Sequence, residues 1–524
     1  MSDTPRNLVR HGSVLSLLTL CSRVLGLVRE MTKASLLGTS ALSDAFSVAF
    51  MIPNLFRRLF AEGSIATAFI PAFKGYLLEN DRAEIREFLS CTFTFLTVFV
   101  SLAAGLGMLF APHIVSVFGR VEFDETVLLT RIMFPFLAFI SLAAFFQGIL
   151  NSVHVFAPSG AAPVLLNIIT VAAAWGLSPL LKNPARAMAI GIIAGGFLEA
   201  AVQFPFVLKR GFRFFFTGIR RAVMNPGTQK VLCLVGPTII GMAAYQMNDL
   251  VSTALARRAG EGILSSLQYS LRLQELILGV FAVSIGTVLL PGLAEDAKTG
   301  NWERYNERFI TAIGIIALIT VPVSFFSLVE GETLIRLLFQ DRRFGEDSVS
   351  LTLAAFNFHM PGLFFIALNR ILAPAFYAQS DTKSPTLAGI ISFAVNIIAA
   401  VVLVRRFRGS GIAGALTLAG VVNTAFLLAF LARNPHIAVK RALRESLFYT
   451  AKLALFSALA ALPVFFLAPR LRALFAGRGR LISLGLPLAL SALVFALGGI
   501  VLLVISGDRR SRAIARPFLG RRKK

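Results

Sequence analysis

The chain has 524 residues, 56% of them hydrophobic and 15% charged, with a net charge of +24 and a mean hydropathy of +0.76. A soluble protein carries about a quarter charged residues, so the composition excludes an ordinary cytosolic domain and points to an all-α polytopic membrane protein. Nor do the basic residues form one face of a nucleic-acid-binding domain: they punctuate apolar runs, as loop cations do under the positive-inside rule and against anionic lipid.

A membrane span needs about 20 mostly apolar residues. In chain order the runs predict helices near 12–37, 45–73, 87–116, 127–151, 159–181, 187–208, 231–256, 263–293, 309–329, 349–377, 385–404, 411–432, 446–468 and 481–506, fourteen in all. Arg6 and Arg10 before SVLSLLTLC imitate a signal peptide. Arg23 interrupts that run and no small-residue cleavage pattern follows, so it is read as an uncleaved first helix.

Fourteen spans place both termini on one side. The loops of that side hold about 27 Lys and Arg against about 15 on the other, so both ends are expected in the cytoplasm. One of these loops, KRGFRFFFTGIRRAVMNPG from Lys209, alternates cations with Phe214, Phe215 and Phe216. It suits a helix or hairpin in the membrane interface, and equally a solvated linker with membrane-facing aromatics. Cys21, Cys91 and Cys233 lie in apolar runs without a CxxC, and the five histidines are scattered singly, so neither a disulfide framework nor a metal centre is expected.

SIATAFIPAF from Ser64 matches SIGTVLLPGL from Ser284, and PVLLNII with Asn167 matches SFAVNII with Asn396. Six helices intervene, so the copies share one orientation, as in a parallel repeat whose halves are related by a pseudo-twofold axis along the bilayer normal. The expected organisation is a first lobe over 1–225 with helices one to six and a second over 226–440 with helices seven to twelve. A helix pair over 441–507 and a basic cytoplasmic tail over 508–524 follow. Two such lobes suit alternating access.

The first two helices carry charges that lipid disfavours. An arginine at the centre of a spanning helix costs about 2.5 to 3.5 kcal/mol on insertion scales, so several of them imply a water-filled, protein-lined cavity. Arg23 and Glu30 are seven apart and share a helix face, with Arg29 about 100° round from Glu30. On the second helix Asn54, Arg58 and Glu62 form an i, i+4, i+8 line beside Arg57, and Pro53 is expected to kink it. In the second lobe SLRLQEL places Arg272 and Glu275 three apart, and QMND places Gln246, Asn248 and Asp249 in the seventh helix. Guanidinium groups pair bidentately with phosphate and are weakly hydrated, so Arg23, Arg29, Arg57 and Arg272 are candidates to hold a phosphate or diphosphate. The structural alternative is intramembrane ion pairing, Arg58 with Glu62 and Arg29 with Glu30 or Asp44.

SRVLGLVRE, the Gly/Ser turn, DAF, PNLFRRLFAEG, RLQE and GTVLLP resemble the MurJ family, also called MviN. These are the lipid II flippases of bacterial peptidoglycan synthesis, within the multidrug/oligosaccharidyl-lipid/polysaccharide exporter superfamily. The resemblance covers essentially the whole chain. It implies a non-enzymatic transporter of the inner membrane that serves cell wall biogenesis and cell shape, with lipid II and membrane lipid as partners, cell-wall synthesis proteins beside them, and no nucleic acid. It also implies that Arg23, Arg29 and Arg57 with Arg272 match the family's essential arginines, and that Asp44, Asn54, Glu62 and Glu275 match cavity or gate positions. Helices thirteen and fourteen then form a groove for the undecaprenyl tail.

An acidic residue often found before the eighth-helix arginine is Leu271 here. Some members hold sodium. Asp249, Asn396 and Thr417 stand at the corresponding positions, but Ala400 replaces an acidic residue, and Asn396 also reads as a packing amide. No cofactor is expected. Membrane potential, protons and sodium all remain open as the driving force. Rival readings are a flippase for another undecaprenyl-linked oligosaccharide or a cation-coupled drug exporter. A membrane enzyme acting on polyprenyl phosphate would need paired carboxylates or a His/Arg cluster, which the sequence lacks.

Overall fold

The computed structural model describes the backbone of residues 5–58, 68–79, 81–508 and 511, and the side chains among them outside 5–16, 236–245 and 279–290. The described structure is helical, and its only strand-like feature is an isolated bridge between Asp341 and Phe344. Nine helical segments among the described residues are long and apolar enough to cross a membrane. Their outward side chains are apolar: Leu102, Trp175, Phe197, Ile398, Val402, Phe465 and Phe466 are all exposed, which suits contact with lipid. The chain divides into two compact units, Met1–Ser265 and Ser266–Lys524.

The first unit holds α1 (Pro5–Leu37), α2 (Ala41–Arg57), α3 (Ile70–Glu79), α4 (Arg82–Leu109), α5 (Ala111–Ser116), α6 (Phe123–Met133), α7 (Phe136–Ser152), α8 (Ala157–Leu181), α9 (Pro184–Lys209), α10 (Ile219–Met224) and α11 (Pro226–Ala259). It also contains the first turn of α12 (Ile263–Lys298). Caps set the boundaries. The Ser40 hydroxyl starts α2 by accepting from the Ser43 amide, and Asn183 and Asn225, each followed by proline, start α9 and α11. The single run expected over 127–151 is broken at Phe134 and Pro135 into α6 and α7.

Two apolar clusters hold this unit. One stacks Phe69, Phe73, Phe88 and Phe145, with ring centroids 5.1–5.7 Å apart for the Phe69 pairs. The other joins Leu37, Ala45, Ala49, Met133, Phe136, Met188 and Ile192. α8 and α9 approach through glycines: a Cβ on Gly191 would lie 2.9 Å from the Thr170 Cα, and one on Gly195 would lie 3.0 Å from the Leu166 Cα. Small residues are what permit this backbone contact between membrane helices.

The aromatic loop after α9 is neither a long interfacial helix nor a hairpin. Phe212 to Gly218 run without regular structure along α4, where the amides of Phe215 and Thr217 donate to Ser90 Oγ and Thr94 Oγ1 at 3.1 and 3.0 Å. The short α10 follows. Phe214 packs on Phe93, while Phe215 and Phe216 stay exposed and the Arg86 guanidinium lies over the Phe215 ring.

The second unit continues α12 and adds α13 (Trp302–Phe339), α14 (Glu346–His359), α15 (Leu363–Tyr377), α16 (Lys383–Leu431), α17 (Val439–Leu474) and α18 (Leu486–Ile505). The two runs expected at 385–404 and 411–432 are two helices within the α16 range, and the chain reverses between them at Arg408, whose φ is 47°; the Ser392 hydroxyl donates to the Ala419 carbonyl at 2.8 Å across the pair. Its core gathers Tyr305, Phe309, Leu372, Phe376, Leu427 and Leu431. A polar knot closes one end: Tyr305 Oη donates to the Ala375 carbonyl at 2.8 Å, and Asn306 bonds the His436 carbonyl and the Ala438 amide, both at 2.9 Å. α17 packs Tyr449 and Leu453 on Ala317 and Val321, and α18 adds Phe495 against Ala460 and Val464.

Candidate functional site

The polar residues of α1 lie on a helix that is otherwise apolar. Arg29 Nη2 donates to Glu30 Oε1 at 3.0 Å, both side chains being more than four-fifths buried, and the Arg29 guanidinium stands 5.7 Å from the Phe50 ring centre. One turn on, Lys33 is buried and its Nζ donates to Ser47 Oγ at 2.7 Å. Arg23 is half-buried and has no ion pair among the described residues. Breaking one partner of a buried pair costs about 3–5 kcal/mol because the other charge is left uncompensated. An unpaired arginine such as Arg23 is instead available to an anion.

On α2, Asn54 Oδ1 accepts from Arg57 Nε at 2.8 Å, which fixes the direction of that guanidinium, and both residues are half-buried. Arg58 Nη1 reaches Asp249 Oδ2 at 3.2 Å and Gln246 Oε1 at 3.3 Å on α11. The partner considered for it from sequence, Glu62, lies outside the described residues. At the other end of α2 the buried Asp44 carboxylate accepts from the Gly262 amide at 2.9 Å, the Ser265 amide at 2.8 Å and the Ser265 hydroxyl at 2.6 Å. Asp44 therefore caps the first turn of α12, where the exposed N–H groups and the helix dipole favour a carboxylate.

In the second unit Arg272 Nη1 lies 3.4 Å from Glu275 Oε2, while the Arg272 Nε is buried without an acceptor among the described residues. The buried His359 Nδ1 and Ser270 Oγ are 2.6 Å apart, and Gln274 Nε2 donates to the His359 carbonyl at 2.7 Å, which anchors this stretch of α12 to α14. Thr417 Oγ1 donates to the Phe358 carbonyl at 2.7 Å, and Asn396 is buried within α16. Among the described residues no group of three or more His, Cys, Asp or Glu side chains is arranged to hold a metal.

Two residues escaped the sequence reading. Lys33 continues the α1 face, three and four residues beyond Glu30 and Arg29, and that spacing could have revealed it. Arg257 and Arg258 fall just past the run expected over 231–256, yet Arg257 is buried and bonds Thr126 Oγ1 at 3.1 Å and the Val121 carbonyl. Nothing local in the sequence marks contacts over such a separation.

The charged α1 and α2 thus stand inside an all-helical, lipid-facing chain. Against known proteins, the profile of the family described as lipid II flippase MurJ matches residues 33–477. The chain belongs to the MurJ family. A MurJ relative in Treponema pallidum (strain Nichols), named a probable lipid II flippase, is 44% identical over 508 residues, 96% of each chain. Another, the lipid II flippase MurJ of Burkholderia cenocepacia, is 32% identical over 433 residues, 81% of this chain and 83% of its own. Among solved structures, a lipid II flippase MurJ in an inward closed conformation covers 96% of this chain and 99% of its own, with a TM-score of 0.78 at 24% identity, so the likeness is one of fold. An inward-facing multidrug resistance transporter of the MATE family shares the fold more distantly, with a TM-score of 0.60 at 14% identity over 82% of this chain and 98% of its own. MurJ proteins form a transporter family, not an enzyme family, and this member is a multi-pass protein of the bacterial inner membrane.

Proposed function

We propose that this chain moves lipid II, the undecaprenyl-diphosphate-linked peptidoglycan precursor, from the inner to the outer leaflet of the cytoplasmic membrane by alternating access. Beyond membership of the MurJ family, the observation that carries the reading is Arg23, a half-buried arginine within an apolar helix whose charge meets no ion pair among the described residues. Such a charge is costly at membrane depth unless a ligand or water answers it.

In this reading the diphosphate is held by Arg23, Arg29, Arg57 and Arg272, with Asn54 orienting Arg57. Glu30 and Glu275 neutralise their neighbouring arginines when substrate is absent. Asp44 holds the start of α12, and Arg58 pairs with Asp249 or with Glu62 as the cycle proceeds. The fold is read as fourteen spans in two parallel six-helix lobes, 1–225 and 226–440, with the pair over 441–507 taking the lipid tail, the basic tail over 508–524, and both termini in the cytoplasm. The lobe boundary is one of topology and differs from the division by compactness after Ser265. Coupling to sodium through Asp249, Asn396 and Thr417 belongs to the same proposal, beside coupling to protons or membrane potential. Association with cell-wall synthesis proteins belongs to it as well.

Arg29→Ala tests the assignment in a strain depleted of its own flippase. The expected result is loss of complementation with normal membrane insertion. Full complementation would remove Arg29 from the substrate site.

A further inference from the structure

A second group of cations in the first unit lines a cavity that the α1 arginines do not line. The end of α11, the first turn of α2 and the turn between α5 and α6 enclose a cavity of about 230 Å³. Arg120, Arg257, Arg258, Asp44, Glu261 and Phe118 line it. A water molecule occupies about 30 Å³, so the space admits a group several times that size, such as a phosphate or diphosphate.

The two carboxylates are already engaged. Both Asp44 oxygens accept from the first turn of α12, and Glu261 Oε1 accepts from the Ala41 amide at 2.9 Å. The three arginines form no ion pair among the described residues. Arg257, only 6% exposed, spends Nη2 on Thr126 and the Val121 carbonyl, while its Nη1 is buried with no acceptor among the described residues. Arg258 gives one nitrogen to the Val117 carbonyl at 2.9 Å, and Arg120 is exposed at the rim with no hydrogen bond or ion pair among the described residues. A buried guanidinium donor left unsatisfied keeps its desolvation cost uncompensated. An oxyanion in the cavity would supply the missing acceptor.

We propose that this cavity binds a phosphoryl oxyanion, held by Arg257 within and by Arg120 and Arg258 at the rim. The forked donors of arginine match the tetrahedral oxygens of such a group. Its source is either a lipid phosphate or a soluble one.

The test titrates inorganic pyrophosphate against the full chain in phosphatidylcholine nanodiscs, for the wild type and for Arg29→Ala, each with and without the pair Arg120→Gln and Arg258→Gln. Arg29→Ala removes binding at the interior arginines of the proposed flippase, so failure of that reading and failure of this one are separable. Saturable binding in Arg29→Ala that weakens at least tenfold in the rim variant supports a site open to soluble phosphate. If pyrophosphate does not bind but discs containing phosphatidylglycerol raise the Tm of the wild type and not of the rim variant, the site takes a lipid phosphate. Arg120→Gln alone breaks no bond among the described residues and gives the same reading should the double variant not fold. A response equal in wild type and rim variant, or no response in either disc, overturns the proposal.

Discussion

The Asp44 carboxylate accepts from both the amide and the hydroxyl of Ser265, at 2.8 and 2.6 Å, across 221 residues of chain. One side chain thus joins the first turn of α2 to the first turn of α12. Gly262 completes the joint: its φ is +73°, and a Cβ there would lie 2.2 Å from the Thr39 carbonyl oxygen. Removing a capping carboxylate costs about 0.5–2 kcal/mol. Asp44→Ala is therefore expected to lower the Tm of the purified protein, with Asp44→Asn between it and the wild type. Gly262→Ala is expected to be at least as damaging, because both backbone strain and overlap oppose it.

Arg58 and Asp249 are each more than a third exposed, and exposed pairs contribute about 0–1 kcal/mol. Asp249→Asn is expected to leave the Tm nearly unchanged. If the pair serves the transport cycle, Arg58→Asp and Asp249→Arg singly lose complementation and regain part of it when combined. Full activity of both single reversals would show that the contact has no role.

At the α8–α9 contact even one methyl group meets backbone. Overpacking of this kind costs about 1–3 kcal/mol, so Gly195→Ala is expected to reduce Tm and yield, and Gly195→Leu to prevent accumulation. Gly176, with open space around it, is the control, and Gly176→Ala is expected to be tolerated.

Asp381 precedes α16, where its Oδ1 accepts from the amides of Ser384 and Lys383 at 3.0 and 2.9 Å. The bonds from Ser384 above all hold its carboxyl below the usual range, against the smaller opposing effect of partial burial. A lowered pKa stabilises the fold above the unfolded value, near 3.9, and that stabilisation disappears as pH falls through the folded value. Asp381→Ala is therefore expected to lower Tm at pH 7, with the gap to wild type closing below about pH 4. A gap independent of pH would contradict the ionic origin of the cap.

The apolar runs located the helices because a membrane span must satisfy its own backbone and cover itself with hydrocarbon. The charges of α1 and α2 stood out against that background, which is why Arg23, Arg29 and Arg57 were legible. Their partners were legible only when adjacent. The Arg29–Glu30 pair is local, whereas Arg58 meets Asp249 from 191 residues away and Asp44 meets Gly262 from 218. The buried role of Arg257 was hidden for the same reason: charges at the end of a span look alike until the fold shows which of them turns inward. A helix break was likewise missed at Phe134–Pro135, whereas the break expected between 404 and 411 stands at Arg408.

The central claim is tested most directly by reconstituting the purified chain in liposomes and measuring lipid II movement between leaflets, with and without an imposed potential or sodium gradient. The expected result is translocation by the wild type, and loss of it in Arg23→Ala despite normal folding and insertion. Translocation by Arg23→Ala at the wild-type rate, or none by the wild type under any gradient, would contradict the account.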